Sequence, residues 1–138
     1  MRFMVQVRSS ETMERGVMPS AELLEAMGRF NQELIDAGMM IAGEGLHPSS
    51  KGARISFAGP TPVVTDGPFA ETKELIAGFW IIRAKSLDEV KAWMRRAPME
   101  RGDVLEIRQV FENEDFGAEL SPELAAQEQA FREKAGYV

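Results

Sequence analysis

Hydrophobic and polar residues alternate at the start of the chain. Phe3, Val5 and Val7 stand between Met4, Gln6 and Arg8, the period of two expected of a strand whose faces meet different surroundings. A polar stretch from Ser9 to Gly16 follows, and Pro19-Ser20-Ala21-Glu22 then carries helix-start chemistry with an acid in the first turn. Leu23, Met27, Phe30 and Leu34 recur at helical spacing, widened by Leu24 and Ile35, while Glu25, Arg29, Gln32, Glu33 and Asp36 fill the other side. Gly38 marks the stop. Met39 to Ala42 reads as a short buried strand that Gly43-Glu44-Gly45 breaks, a place for a bulge or close backbone approach. His47 to Gly52 is a loop.

The segments 53–57 and 62–65 flank Ala58-Gly59-Pro60-Thr61 and predict a β-hairpin that presents Thr65 and Asp66 at the end of its return strand. Leu75 to Ala84 predicts a central strand, with Phe79 and Ile81 facing one way and Trp80 and Ile82 the other. Ser86-Leu87-Asp88-Glu89 has the form of a capping box. The helix it opens carries Val90, Trp93, Met94 and Ala97 and cannot pass Pro98. Val104 to Phe111 is the last strand, and Ser121-Pro122-Glu123 opens a third helix with a thin apolar stripe.

Setting the hairpin and the tail aside, the order β-α-β-β-α-β predicts an α+β, ferredoxin-like antiparallel sheet with both helices on one face. The domain is expected to span residues 1–112, followed by an acidic C-terminal extension with a helix over 113–138. The bare face is assigned Arg2, Met4, Trp80, Ile82, Val104 and Val110 among Gln6, Arg8, Glu106 and Arg108, with the alternative register left open. One aromatic ring on that face would expose a sizeable apolar patch on a monomer. A homodimer through sheet faces is therefore expected, either with a cavity for a small polar molecule or as a solid interface without one.

Composition narrows this picture. At 138 residues, with 44% hydrophobic and 28% charged positions, the chain suits one folded domain. The absence of cysteine removes disulfides, thiolate nucleophiles and cysteine-held zinc or iron–sulfur centres, and favours a reducing, cytoplasmic location. Neither a signal peptide nor a membrane span is legible. The formal net charge of -6 argues against nucleic acid, and the one local basic cluster, Arg95, Arg96 and Arg101, suits a helix C-terminus.

The decapeptide from Thr65 to Glu74, TDGPFAETKE, with Gly78-Phe79-Trp80 after it, resembles the YCII-related proteins and specifically their DGPF subgroup. The likeness extends over Ala42 to Ser49, the Ser86 helix and Glu106 to Phe111, leaving only the C-terminal helix outside it. The resemblance implies a dimeric α+β barrel of ferredoxin-like protomers, related in architecture to small monooxygenases and muconolactone-isomerase-like enzymes. It also implies an active-site pocket holding a histidine and an aspartate, here His47 and Asp66, though the group has no generally established reaction. Some members are encoded beside alternative sigma factors, which favours a regulatory role.

His47 is the sole histidine and the best general acid or base in the chain, and Asp66 could hold one ring nitrogen so that the other moves a substrate proton. Asp66-Gly67-Pro68 is equally turn chemistry, through an aspartate bond to its own backbone and a glycine at positive φ. Phe69 either anchors the loop in the core or walls a ligand pocket. Glu71, Thr72 and Lys73, with Glu74, could grip a polar ligand or simply be solvated, and Ser49, Ser50 and Arg54 could add anion contacts. No phosphate cradle of the P-loop kind is present. A metal would need His47 with carboxylates from Glu44, Asp66 or Glu71, a poor donor set with one imidazole and no thiolate, so neither metal nor cofactor is expected. Three readings stand: a cofactor-independent small-molecule enzyme using His47 and Asp66 for proton transfer, a non-catalytic metabolite-binding or regulatory dimer, and a purely structural dimer with no cavity.

Overall fold

A computed structural model describes residues 1–136, so the last two positions of the expected extension, 137 and 138, lie outside the described residues. The elements are β1 (Arg2–Arg8), α1 (Glu11–Glu14), α2 (Ala21–Asp36), β2 (Met40–Gly45), β3 (Ala53–Ser56), β4 (Val63–Asp66), β5 (Ile76–Arg83), α3 (Leu87–Met94), β6 (Leu105–Gln109) and α4 (Pro122–Ala135). Four strands form an antiparallel sheet in the order β2-β5-β1-β6, while β3 and β4 make a separate two-stranded hairpin inserted between β2 and β5. With α2 and α3 packed on one face, this is the ferredoxin-like α+β arrangement that the element order predicts.

Each long helix starts where its cap chemistry dictates. Ser20, Ser86 and Ser121 accept hydrogen bonds from the backbone N–H groups of Leu23, Glu89 and Leu124, satisfying donors that have no partner inside the first turn. At Ser86 the cap is reinforced by Glu89, whose carboxylate accepts from the backbone N–H of Lys85 at 2.6 Å. The short α1, capped by Ser10, falls within the polar stretch where no element was expected.

The core corrects the face assignment. Phe3, Val5, Trp80 and Ile82 are buried against Phe30 and Leu34 of α2 and Val90 and Met94 of α3. Strand partners confirm the register, with Phe3 opposite Ile82 and Val5 opposite Trp80. Trp80 and Ile82 thus belong to the helix side, and the open face carries Met4, Gln6, Phe79, Ile81, Glu106 and Arg108, paired as Met4–Ile81, Gln6–Phe79, Met4–Arg108 and Gln6–Glu106. The larger ring goes inside because it has a partner there for its one polar atom. Trp80 Nε1 donates to Asn31 Oδ1 at 2.8 Å, and the indole meets Phe30 edge-on at 6.2 Å.

The expected break at Gly43-Glu44-Gly45 does not occur. β2 continues through all three residues, and its irregularity falls earlier, between Met40 and Ala42. Gly43 lies opposite Trp80, and a Cβ there would come within 3.0 Å of the indole Cδ1 and 2.6 Å of Met40 Cε. Glycine is needed for the room it leaves the ring, not as an interruption of the strand.

Candidate functional site

Two loops meet at the end of the sheet where β2 stops and β5 begins. The first leaves β2 through Leu46, whose N–H donates to Ala77 O at 2.8 Å, and runs through His47 and Pro48 into a single 3-10 turn over Ser49–Lys51. The second leaves β4 at Asp66 and runs through Gly67, Pro68 and Phe69 to another 3-10 turn over Thr72–Glu74. The hairpin β3–β4 joins the two, with Ala53 opposite Asp66 at its base.

Ser49 ties them together. Its hydroxyl donates to the Glu14 carboxylate and accepts from the backbone N–H of Phe69 at 3.0 Å, while its own N–H donates to Glu14 Oε1 at 3.1 Å. One serine thus connects α1, the His47 loop and the Asp66 loop through three bonds, two of them charge-assisted. The backbones press together at the same place, where Gly67 N donates to Gly52 O at 2.9 Å. A Cβ on Gly67 would lie 1.8 Å from the carbonyl oxygen of Ser49. Gly67 is not among the residues at positive φ, so it is required for this approach rather than for the turn geometry expected of it, and the Gly67–Pro68 peptide is cis.

Beyond Phe69 the site is charged. The Arg54 guanidinium lies 3.9 Å from the centroid of the Phe69 ring, a cation–π contact that joins the hairpin to the loop. A hydrogen bond to Glu71, together with the like charge of Glu71, raises the carboxyl of Glu74 above the ordinary carboxylate range, and Arg54 and Arg8 pull it partly back. Two acids and two guanidiniums therefore share one exposed corner.

The expected site residues divide into four groups. Ser49 and Phe69 hold the loops in place, and Arg54 stacks on Phe69. Glu71 faces Glu74, while Thr72 and the exposed Lys73 lie in the turn between them. His47 and Asp66 are both exposed on the two tied loops, and no side-chain hydrogen bond joins them; nor does the Asp66 carboxylate accept from its own following backbone N–H groups, the bond expected of the turn. Glu44 is exposed in β2, opposite Phe79. Among the described residues no group of three or more His, Asp or Glu side chains is placed to hold a metal ion, and no helix is long and apolar enough to cross a membrane. Sequence reasoning missed Glu14 as the partner of Ser49 and Arg8 as a neighbour of Glu74. Glu14 carried no local signal, because its partner is 35 residues away in the chain.

An uncharacterized protein of Rhizobium meliloti is 32% identical over 73 residues, a stretch that spans 53% of this chain and 59% of the relative. A solved structure, 5-chloro-2-hydroxyhydroquinone dehydrochlorinase from Burkholderia phenoliruptrix in complex with 2,5-dihydroxybenzoquinone, is similar at 15% identity with a TM-score of 0.39, over 81% of this chain and 96% of that one. The model of the YCII-related domain matches residues 1–114, most of the chain and every strand and loop described above, and the chain belongs to this family.

Proposed function

We propose that this chain is a cofactor-independent enzyme of the DGPF subgroup acting on a small polar organic molecule, with His47 transferring a proton and Asp66 orienting the imidazole or the substrate. The supporting observation is the Ser49 tie. It fixes the His47 loop against the Asp66 loop through Glu14 and the Phe69 N–H, which supports reading the two loops, one carrying an acid–base candidate and the other a carboxylate, as one site. Neither side chain is engaged with the other, which leaves both able to meet a substrate. Glu71, Glu74, Arg54 and Arg8 supply charges of both signs at the same corner, a lining suited to a polar ligand rather than an apolar one.

The pocket is completed, in this reading, by a second copy packed on the open sheet face, where Met4, Phe79 and Ile81 stand among Gln6, Glu106 and Arg108. The test is turnover. A panel of small organic acids, lactones and quinols is incubated with the protein and followed by mass spectrometry, and His47→Gln and Asp66→Asn are compared with the parent on any compound consumed. Loss of turnover by about a hundredfold or more at unchanged melting temperature supports the assignment. Full turnover in His47→Gln removes it.

The exposure of His47 and Asp66 without a mutual bond favours a second reading, a metabolite-binding or regulatory dimer using the same corner. Compounds that raise the melting temperature and are recovered unchanged would identify it.

A further inference from the structure

At the other end of the sheet, the first residue of β1 and the last of β5 are direct partners, which sets the guanidiniums of Arg2 and Arg83 on the same face of neighbouring strands. Like charges placed opposite each other destabilise a sheet. Arg2 is answered by Glu112, with Nε to Oε1 at 2.9 Å and Nη2 to Oε2 at 3.0 Å. Arg83 is exposed and, among the described residues, has no carboxylate within ion-pairing distance. A third guanidinium, Arg132 of α4, is largely enclosed at 19% side-chain exposure and pairs with Glu128 at 3.4 Å.

A cleft of about 420 Å³ opens here, lined by Arg2, Arg83, Glu112, Glu114, Gln129 and Arg132. Its size falls within the range of small-molecule sites. Three guanidiniums and two acids face it; Glu112 is committed to Arg2 and Arg132 is paired with Glu128, so Arg83 is the guanidinium left with no carboxylate within ion-pairing distance among the described residues. Gln129 and Arg132 lie beyond residue 114, where the match to the family ends, so this wall is built by the extension. The cleft is also remote from the His47 corner. In the pairing of β1 with β5, Arg2–Arg83 is the first pair and Arg8–Ile76 the last, with Arg8 beside Glu74.

We propose that this cleft is a binding site for a small anion bearing a carboxylate or phosphate group, gripped by Arg83 and Arg132. A guanidinium presents two parallel N–H donors that match either group, and the anion supplies Arg83 with the negative partner that Arg2 finds in Glu112. Gln129, whose Nε2 donates one hydrogen to Glu133 at 3.1 Å, keeps a second N–H at the side. The extension thus has a purpose that the shared domain does not require.

The test is isothermal titration calorimetry of the full chain at low ionic strength with malonate and, separately, inorganic phosphate. Binding of malonate alone identifies an organic acid site, binding of phosphate alone a phosphoryl site, and either outcome supports the proposal. Arg83→Gln and Arg132→Gln are each expected to weaken binding by about tenfold or more, with Arg83→Lys intermediate because it keeps the charge and loses the fork. Arg95→Gln, a cation elsewhere on the surface, leaves it unchanged. Arg83→Gln also removes the repulsion with Arg2, so it is expected to fold at least as well as the parent. Binding of neither anion, or binding that survives both glutamine substitutions, overturns the proposal.

Discussion

Ser49 shows how a candidate ligand contact becomes a structural bond. Its hydroxyl was a plausible anion donor in the sequence, yet it is engaged on both sides, donating to Glu14 and accepting from Phe69. Replacing Ser49 by Ala leaves the Phe69 N–H and part of the Glu14 carboxylate without partners in a half-buried place, which costs about 1–3 kcal/mol. A melting curve would show it, whereas Thr72→Ala, which breaks no such bond, should stay within about 0.5 kcal/mol of the parent. The Glu71–Glu74 pair makes a second prediction at this scale. Glu74 titrates above the ordinary carboxylate range because of Glu71, so the part of the loop's stability that depends on the protonated pair is present below that range and is lost as pH rises through the raised value. Glu71→Ala removes both the hydrogen bond and the like charge and leaves Arg54 and Arg8 acting alone. Carboxyl-carbon NMR titration should then find Glu74 shifted down to the ordinary range or below it, and an unmoved titration would refute the cause given.

Among the elements, Gly43 and Gly67, two of the glycines with a close neighbour, are expected to behave differently. At Gly43 the atoms in the way are the flexible end of Met40 and the edge of the Trp80 ring, so Gly43→Ala asks one methionine to swing aside and costs about 1–3 kcal/mol. At Gly67 the obstacle is the backbone carbonyl of Ser49, which cannot move without undoing the junction of the two loops, so Gly67→Ala costs more, about 3 kcal/mol or above. Chemical denaturation of the two variants ranks them, and equal costs would mean that the loops slide apart easily. The same contrast explains what the sequence made legible. Hydrophobic period, serine caps and turn residues are local signals, and they placed the four sheet strands, α2, α3, α4 and the hairpin. The continuation of β2 through Gly43 was not legible, since it depends on a ring 37 positions later in the chain. Nor was the Glu14–Ser49 bond, because helix α1 carries only four residues and no apolar stripe.

For the whole molecule, the decisive misreading was which aromatic turns inward, since alternation alone separates Phe79 from Trp80 without saying which meets the helices. Asn31 decides it by accepting the indole N–H from α2, and Phe79 is left on the open face with Met4 and Ile81. That face is half-buried, with Met4, Phe79 and Ile81 set among Gln6, Glu106 and Arg108, a mixed surface suited to a copy of itself across a twofold axis. A charge placed at Phe79 tests the proposed dimer without touching the core. Because Phe79 points away from Phe30, Leu34, Val90 and Met94, Phe79→Glu should keep its far-ultraviolet circular dichroism and lose little stability in the single chain. Two such charges facing each other across the axis would be buried without partners, so the dimer should weaken by about two orders of magnitude or more in sedimentation equilibrium. Trp80→Glu is the matched contrast, since it buries the charge under α2 and should unfold the chain whether or not it dimerises. If Phe79→Glu sediments as the parent does, the open face is not the interface, and the His47 corner must work within one copy.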